Sequence, residues 1–70
     1  KAGAHDRLAA LRAQAVAEGD FFLVRELTRA LGDELPAAQW RATSEAAAAS
    51  GKERYAASAH RMAERAEGRA

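Results

Sequence analysis

The chain has no cysteine, no isoleucine and no asparagine, and it carries one proline, one tryptophan, one tyrosine and two phenylalanines. Without thiols there is neither a disulfide nor a thiolate metal site, and the redox compartment cannot be read. No apolar run approaches the roughly 20 residues that a membrane-spanning helix needs. The start lacks the apolar stretch of a signal peptide. The expectation is a cytoplasmic protein with no membrane partner. Charge of one sign is also missing. Eleven basic residues stand against 10 acidic ones, for a formal net charge of +1. So even a balance supplies no general drive toward nucleic acid or anionic lipid. Nine of the basic residues are Arg, which does not by itself mark a phosphate-binding surface.

Large apolar side chains are scarce as well. Of the 34 hydrophobic residues 21 are Ala, leaving six Leu, two Val, two Phe, Met62, Trp40 and Tyr55. An Ala contributes a methyl group, whereas a buried Leu or Phe is worth roughly 1.5–3 kcal/mol. Either the helices pack very closely, as Ala permits, or a neighbour lends stability. Seventy residues allow one thin domain spanning residues 1–70. The chain begins at Lys1 without an initiator Met, so an excerpt of a longer chain is expected.

What is present is helix-forming. Ala, Leu, Arg, Glu and Gln dominate, and no segment alternates as a strand would. Sparse punctuation separates four helical segments. The first runs from about Ala4 to Glu18 with Leu8, Leu11 and Ala15 inward. The second runs from about Asp20 to Leu31 with Phe21, Val24, Leu27 and Leu31 inward, ending at Gly32. The third runs from Pro36 to about Ala49, and the fourth from about Gly51 to Glu67 with Tyr55, Ala59, Met62 and Ala66 inward. At about 100° per residue, a continuous helix through Gly19 would put its two apolar stripes roughly 170° apart. A turn at Gly19-Asp20 lets both face one core, with Asp20 capping the second helix. At Gly51 the offset is only about 70°, and the break rests on Ser50-x-x-Glu53 read as a capping box. The expected fold is all-α, a small array or bundle of about four short helices forming two antiparallel hairpins, residues 4–32 and 36–67.

The two halves are alike. Ala15-x-x-x-Gly19-Asp20 opens a helix with Val24, Thr28 and Leu31. Thirty-two residues later Ala47-x-x-x-Gly51-Lys52 opens one with Ala56, His60 and Ala63. Two-helix repeats of this length indicate stacked helical hairpins. The stretch AEGDFFLVRELTRALGDELP resembles the second half of a tetratricopeptide repeat, with Gly19-Asp20 as the turn, Phe21 behind it and Pro36 closing the unit. Trp40 then falls at the aromatic anchor of the next unit. The match is degenerate. Leu8 replaces the first aromatic anchor, Arg12 and Ser44 replace a small Gly, Thr43 and His60 replace larger apolar residues, and the second unit starts about two residues early. The resemblance implies a non-catalytic protein- or peptide-binding scaffold. Its concave surface would be lined by the first helix of each hairpin, with Asp6, Arg41 and Glu45 exposed there. The Lys/Asn set that clamps a terminal carboxylate in some members is absent. Two repeats are also fewer than such arrays need to stand alone.

No catalytic constellation is visible, and an enzyme is not expected. His60 and Glu64 are four residues apart, a spacing that can begin a metal site. With two histidines in the chain, a solvated pair is the better reading, and no metal or cofactor is expected. Thr43-Ser44 has no positioned base nearby. Trp40 reads first as the core anchor of the third helix and second as a partner contact, since Trp is enriched in binding hot spots. In Phe21-Phe22-Leu23-Val24 consecutive side chains point different ways, so one of Phe22 and Leu23 should be exposed. The candidate partner-binding residues are Phe22, Trp40, Arg41 and Glu45, and the partner is another protein or peptide, or a second copy of the chain in a homo-oligomer. Arg54, Arg61, Arg65 and Arg69 interleave with Glu53, Glu64 and Glu67, which reads as solvated ion-pairing faces. The alternative is a small helix-turn-helix-like DNA-binding regulator, with Gly51 in the turn and Arg54, Ser58 and Arg61 toward the major groove. Lys52 then stands where that motif wants a buried apolar residue.

Overall fold

The computed structural model describes residues 2–69, the side chains of Ala2 and Arg69 excepted. Lys1, Ala70 and the basic side chain expected at Arg69 thus lie outside the described residues. Four helices follow one another: α1 (Ala2–Glu18), α2 (Phe21–Leu31), α3 (Ala37–Ala49) and α4 (Glu53–Arg69). α1 packs on α2 and α3 on α4, and the two hairpins join mainly through α1 and α3, while α2 touches α3 and α4 only sparingly. The expected all-α pair of hairpins is the observed architecture.

Each hairpin turns in the same way. The amide of Gly19 donates to Val16 O and that of Asp20 to Ala15 O, and the amides of Gly51 and Lys52 likewise donate to Ala48 O and Ala47 O. This pair of bonds closes a helix through a left-handed residue, and both glycines have that backbone, at φ 72° and 77°. Asp20 caps α2 as expected, accepting from the Leu23 amide at 3.2 Å. The break at Gly51 is real, but its expected cause is not. Ser50 closes α3 as its C-cap, and α4 begins only at Glu53, so no capping box forms. Gly51 itself stops the helix.

Beyond the turn geometry the two glycines differ. A Cβ on Gly19 would lie 2.6 Å from Ala47 Cα and 2.7 Å from Ala46 C, and would also collide with the Ala47 amide nitrogen, whereas one on Gly51 would meet nothing. The first hairpin's turn therefore lies backbone to backbone on α3. Lys52 adds to this seam by donating to Glu18 O at 3.3 Å, which satisfies an orphan carbonyl at the end of α1.

The core joins Ala15, Val16, Val24, Leu35, Trp40, Ala59 and Ala63, with Phe21, Met62 and Ala66 packed on its edge. Three expected positions depart from it. Leu11 is 45% exposed and Tyr55 37% exposed, and both Phe22 and Leu23 are exposed instead of one of them. In α1 the inward line is Leu8, Arg12, Ala15, Val16 and Gly19, so Arg12 takes the place expected of Leu11. Its guanidinium grips Asp33 through two bonds of 2.6 and 2.9 Å and donates to Thr28 Oγ1 at 3.2 Å. Thr28 in turn donates to Val24 O at 2.7 Å. In the second hairpin Ser44 donates to Ala56 O at 2.8 Å. Val24 and Ala56 are 32 positions apart, as are Arg12 and Ser44. Both hairpins are thus tied across by a polar side chain at the same place, reaching the same carbonyl directly or through one hydroxyl.

Two outcomes follow from this packing. Gly19→Ala should lower the unfolding free energy by more than about 2 kcal/mol, since it adds a backbone collision to the roughly 1–2 kcal/mol cost of left-handed backbone. Gly51→Ala should cost only that conformational part, and denaturant titration of both variants makes the comparison. Hydrogen bonding from Arg12, aided by its charge, holds the Asp33 carboxyl below its ordinary range. A carboxyl lowered on folding contributes stability above its unfolded pKa and loses it as pH falls through the folded one. The gap in melting temperature between the native chain and Asp33→Asn should therefore be present at neutral pH and close in strong acid.

Candidate functional site

A cleft opens between α2 and α4, with α3 beneath it. Its wider lobe, about 430 Å³, is lined by Phe21, Arg25 and Arg29 of α2, Trp40 of α3, and Met62 and Arg65 of α4. A second lobe of about 180 Å³ shares Thr28, Trp40 and Met62 and runs to the loop at Asp33, Glu34 and Leu35. Trp40 is only 3% exposed. The tryptophan is the core anchor of α3, as read first from the sequence, and the edge it leaves open forms the cleft floor. Phe21 stands between Trp40 and Tyr55, with ring centroids 5.7 and 6.1 Å away.

Helical geometry sorts the cleft walls by charge. At about 100° per residue, the Tyr55–Met62 stripe of α4 has Ala56, Ala63 and Glu67 on one flank. That flank faces α3, for Ser44 bonds Ala56 O and Arg41 pairs with Glu67. Arg54, Ser58, Arg61 and Arg65 lie on the other flank, toward α2. Glu53, His60 and Glu64 fall farther round on the side away from the cleft. On α2, Val24, Leu27 and Leu31 turn inward while Phe22, Arg25 and Arg29 share the outer flank. The interleaving of Arg and Glu along α4 conceals a separation of the two signs in space.

Arg25 is held above the aromatic rings. Its guanidinium carbon is 5.9 Å from the Phe21 centroid and 5.6 Å from that of Phe22, within cation–π range. Its Nε is secluded and has no hydrogen-bond partner among the described residues. Among the described residues the Arg25 and Arg29 forks pair only with Glu26, at 3.6 and 3.7 Å. These distances exceed the roughly 2.7–2.9 Å of a charge-assisted hydrogen bond.

The other residues singled out in the sequence are scattered. Phe22, 53% exposed, stands on the cleft rim beside Arg25. Arg41 and Glu45 are exposed on α3, outside the cleft, with Arg41 drawn toward α4 by Glu67. Arg54, Ser58 and Arg61 share the α4 flank, and Arg61 donates to Ser58 Oγ at 3.4 Å. His60 and Glu64 approach to 3.3 Å on the exposed surface, and no group of three or more metal-ligating side chains exists among the described residues. Thr43 is wholly buried, and its hydroxyl donates to Gln39 O. Arg25, Arg29 and Arg65 line the cleft without having been candidate partner-binding residues in the sequence reading. For Arg25 the spacing of four and three from Phe21 and Phe22 was the available signal.

No family model, curated protein or solved structure matches the chain. Among the described residues no helix is long and apolar enough to cross a membrane.

Proposed function

We propose that the chain is a non-catalytic protein-interaction or assembly module of helical-hairpin type, tetratricopeptide-like in organisation, that receives its partner in the α2–α4 cleft. One observation carries this reading. The chain has thirteen large apolar side chains, yet Leu11, Phe22, Leu23 and Tyr55 are left exposed. A domain so short of core material gains nothing in isolation from an uncovered Phe and Tyr beside an open cleft. Exposed aromatics around a concave apolar floor are what a partner covers.

The candidate nucleophiles support the non-catalytic reading, because the hydroxyls of Thr43 and Ser44 are both spent on helix carbonyls. The DNA-binding alternative is less well supported. A helix-turn-helix crosses its two helices at about 90–120°. Here α3 and α4 touch both at Ser44–Ala56 and, far from the turn, at Arg41–Glu67. Lys52 is exposed and serves α1.

The test is selection of binders from a displayed library of short random peptides, followed by affinity measurement on variants. Phe22→Ala should weaken the selected peptides about tenfold with the melting temperature preserved, and Leu11→Ala, exposed on α1, should leave them unchanged. Binders that ignore Phe22 but depend on Arg41 and Glu45 would move the surface to α1 and α3. A salt-dependent shift of duplex DNA without any peptide binding would favour the regulator. Concentration-dependent sedimentation abolished by Phe22→Ala would identify the partner as a second copy.

A further inference from the structure

We propose that the wide lobe of the cleft selects an acidic amphipathic peptide segment, apolar side chains seated over Trp40 and Met62 and carboxylates held by Arg25, Arg29 and Arg65. The proposal rests on the interaction reading above and names the chemistry of its partner.

The chain as a whole is nearly neutral, but the cleft is not. Three arginines line the wide lobe, and Arg54 and Arg61 continue the same flank of α4. Glu26 is divided between two of these guanidiniums without a close bond to either. Arg65 has no ion pair among the described residues. Arg12 shows what a satisfied arginine looks like in this protein, with both nitrogens on Asp33 at 2.6 and 2.9 Å. Guanidinium is built for that two-point grip on a carboxylate, and among the described residues the cleft arginines have none.

The same geometry disfavours nucleic acid as the occupant. Single strands bind by stacking bases on open aromatic faces. Here the Arg25 guanidinium already lies over Phe21 and Phe22. That stacking orders the fork before a ligand arrives and so reduces the entropic cost of binding. Asp33 and Glu34 border the narrow lobe, so the acidic end of the segment belongs at the arginine end of the cleft. Asp33 is itself neutralised by Arg12.

Trp40, the chain's single tryptophan, supplies the signal from the cleft floor. Its emission is titrated with a Trp-free synthetic peptide of about four helical turns, Leu at every third or fourth position and Glu between. A counterpart carries Gln for every Glu, and an oligothymidylate forms a third arm. The acidic peptide should bind about tenfold or more tightly than the Gln peptide, with the difference shrinking as salt is raised. Arg25→Gln and Arg65→Gln should each remove most of that difference. Arg65, exposed on α4, keeps the test valid if Arg25→Gln unfolds the chain. Equal binding of both peptides would overturn the acidic selectivity and leave the interaction reading standing. Tighter binding of the oligothymidylate than of the acidic peptide would overturn it in favour of nucleic acid. No binding of any of the three would overturn both proposals.

Discussion

The arrangement depends on one close approach, the backbone of Gly19 lying against the backbone of α3 at Ala46 and Ala47. Side chains cannot hold two hairpins together when so few are large. Direct backbone contact brings the peptide units of Gly19, Ala46 and Ala47 within dispersion range. It also sets the position of α3 relative to α2, and thereby places Trp40 against Phe21. The seam joins α1 to α3, while α2 and α4 touch only sparingly. The cleft is a consequence of where the glycine is.

Features written in local punctuation were legible in the sequence. The turn at Gly19, the Asp20 cap, the end of α2 at Gly32 and the start of α3 after Pro36 are each fixed by one or two residues with special backbone needs. Inward faces were less legible where a polar side chain joins the apolar stripe. A hydropathy pattern assigns α1 to Leu8, Leu11 and Ala15 because it cannot credit Arg12, whose stem packs while its head finds Asp33 twenty-one positions away. Leu35 is buried but sits in a loop, where no periodicity predicts it. Ser50 illustrates the converse, a capping signal satisfied in sequence and unused because the glycine after it had already turned the chain. The cleft was half legible. Phe22 could be found from the crowding of four apolar residues, but Arg25 and Arg65 belong to different helices and become neighbours only when the hairpins dock.

Polar groups do structural duty in this core in place of bulk. Thr43 is fully buried with its hydroxyl on Gln39 O, and Ser44 and the Arg12–Thr28 pair tie each hairpin across at equivalent carbonyls. A buried polar group stabilises only when paired, and it is costly when its partner is lost. Such ties fix register more than they add stability, which suits helices whose facing surfaces are mostly methyl groups and could otherwise slide. The repetition of the tie at the same offset as the turn glycines makes the internal repeat a structural fact as well as a sequence pattern.

The distribution of charge completes the argument about purpose. If the arginines of α4 served only to keep the helix solvated, the most favourable arrangement would set each beside a Glu three or four positions along. Glu64 could do this for Arg61, three positions before it, but it is paired with His60. The arginines collect instead on the flank that faces α2, where Arg25 and Arg29 add like charge. Bringing several guanidiniums to one cleft works against folding through mutual repulsion, and stability alone gives no reason for it. Nor does stability explain leaving Phe22 and Tyr55 uncovered beside them. Both costs would be recovered together by the proposed partner, a surface that is apolar at its centre and acidic at its edge.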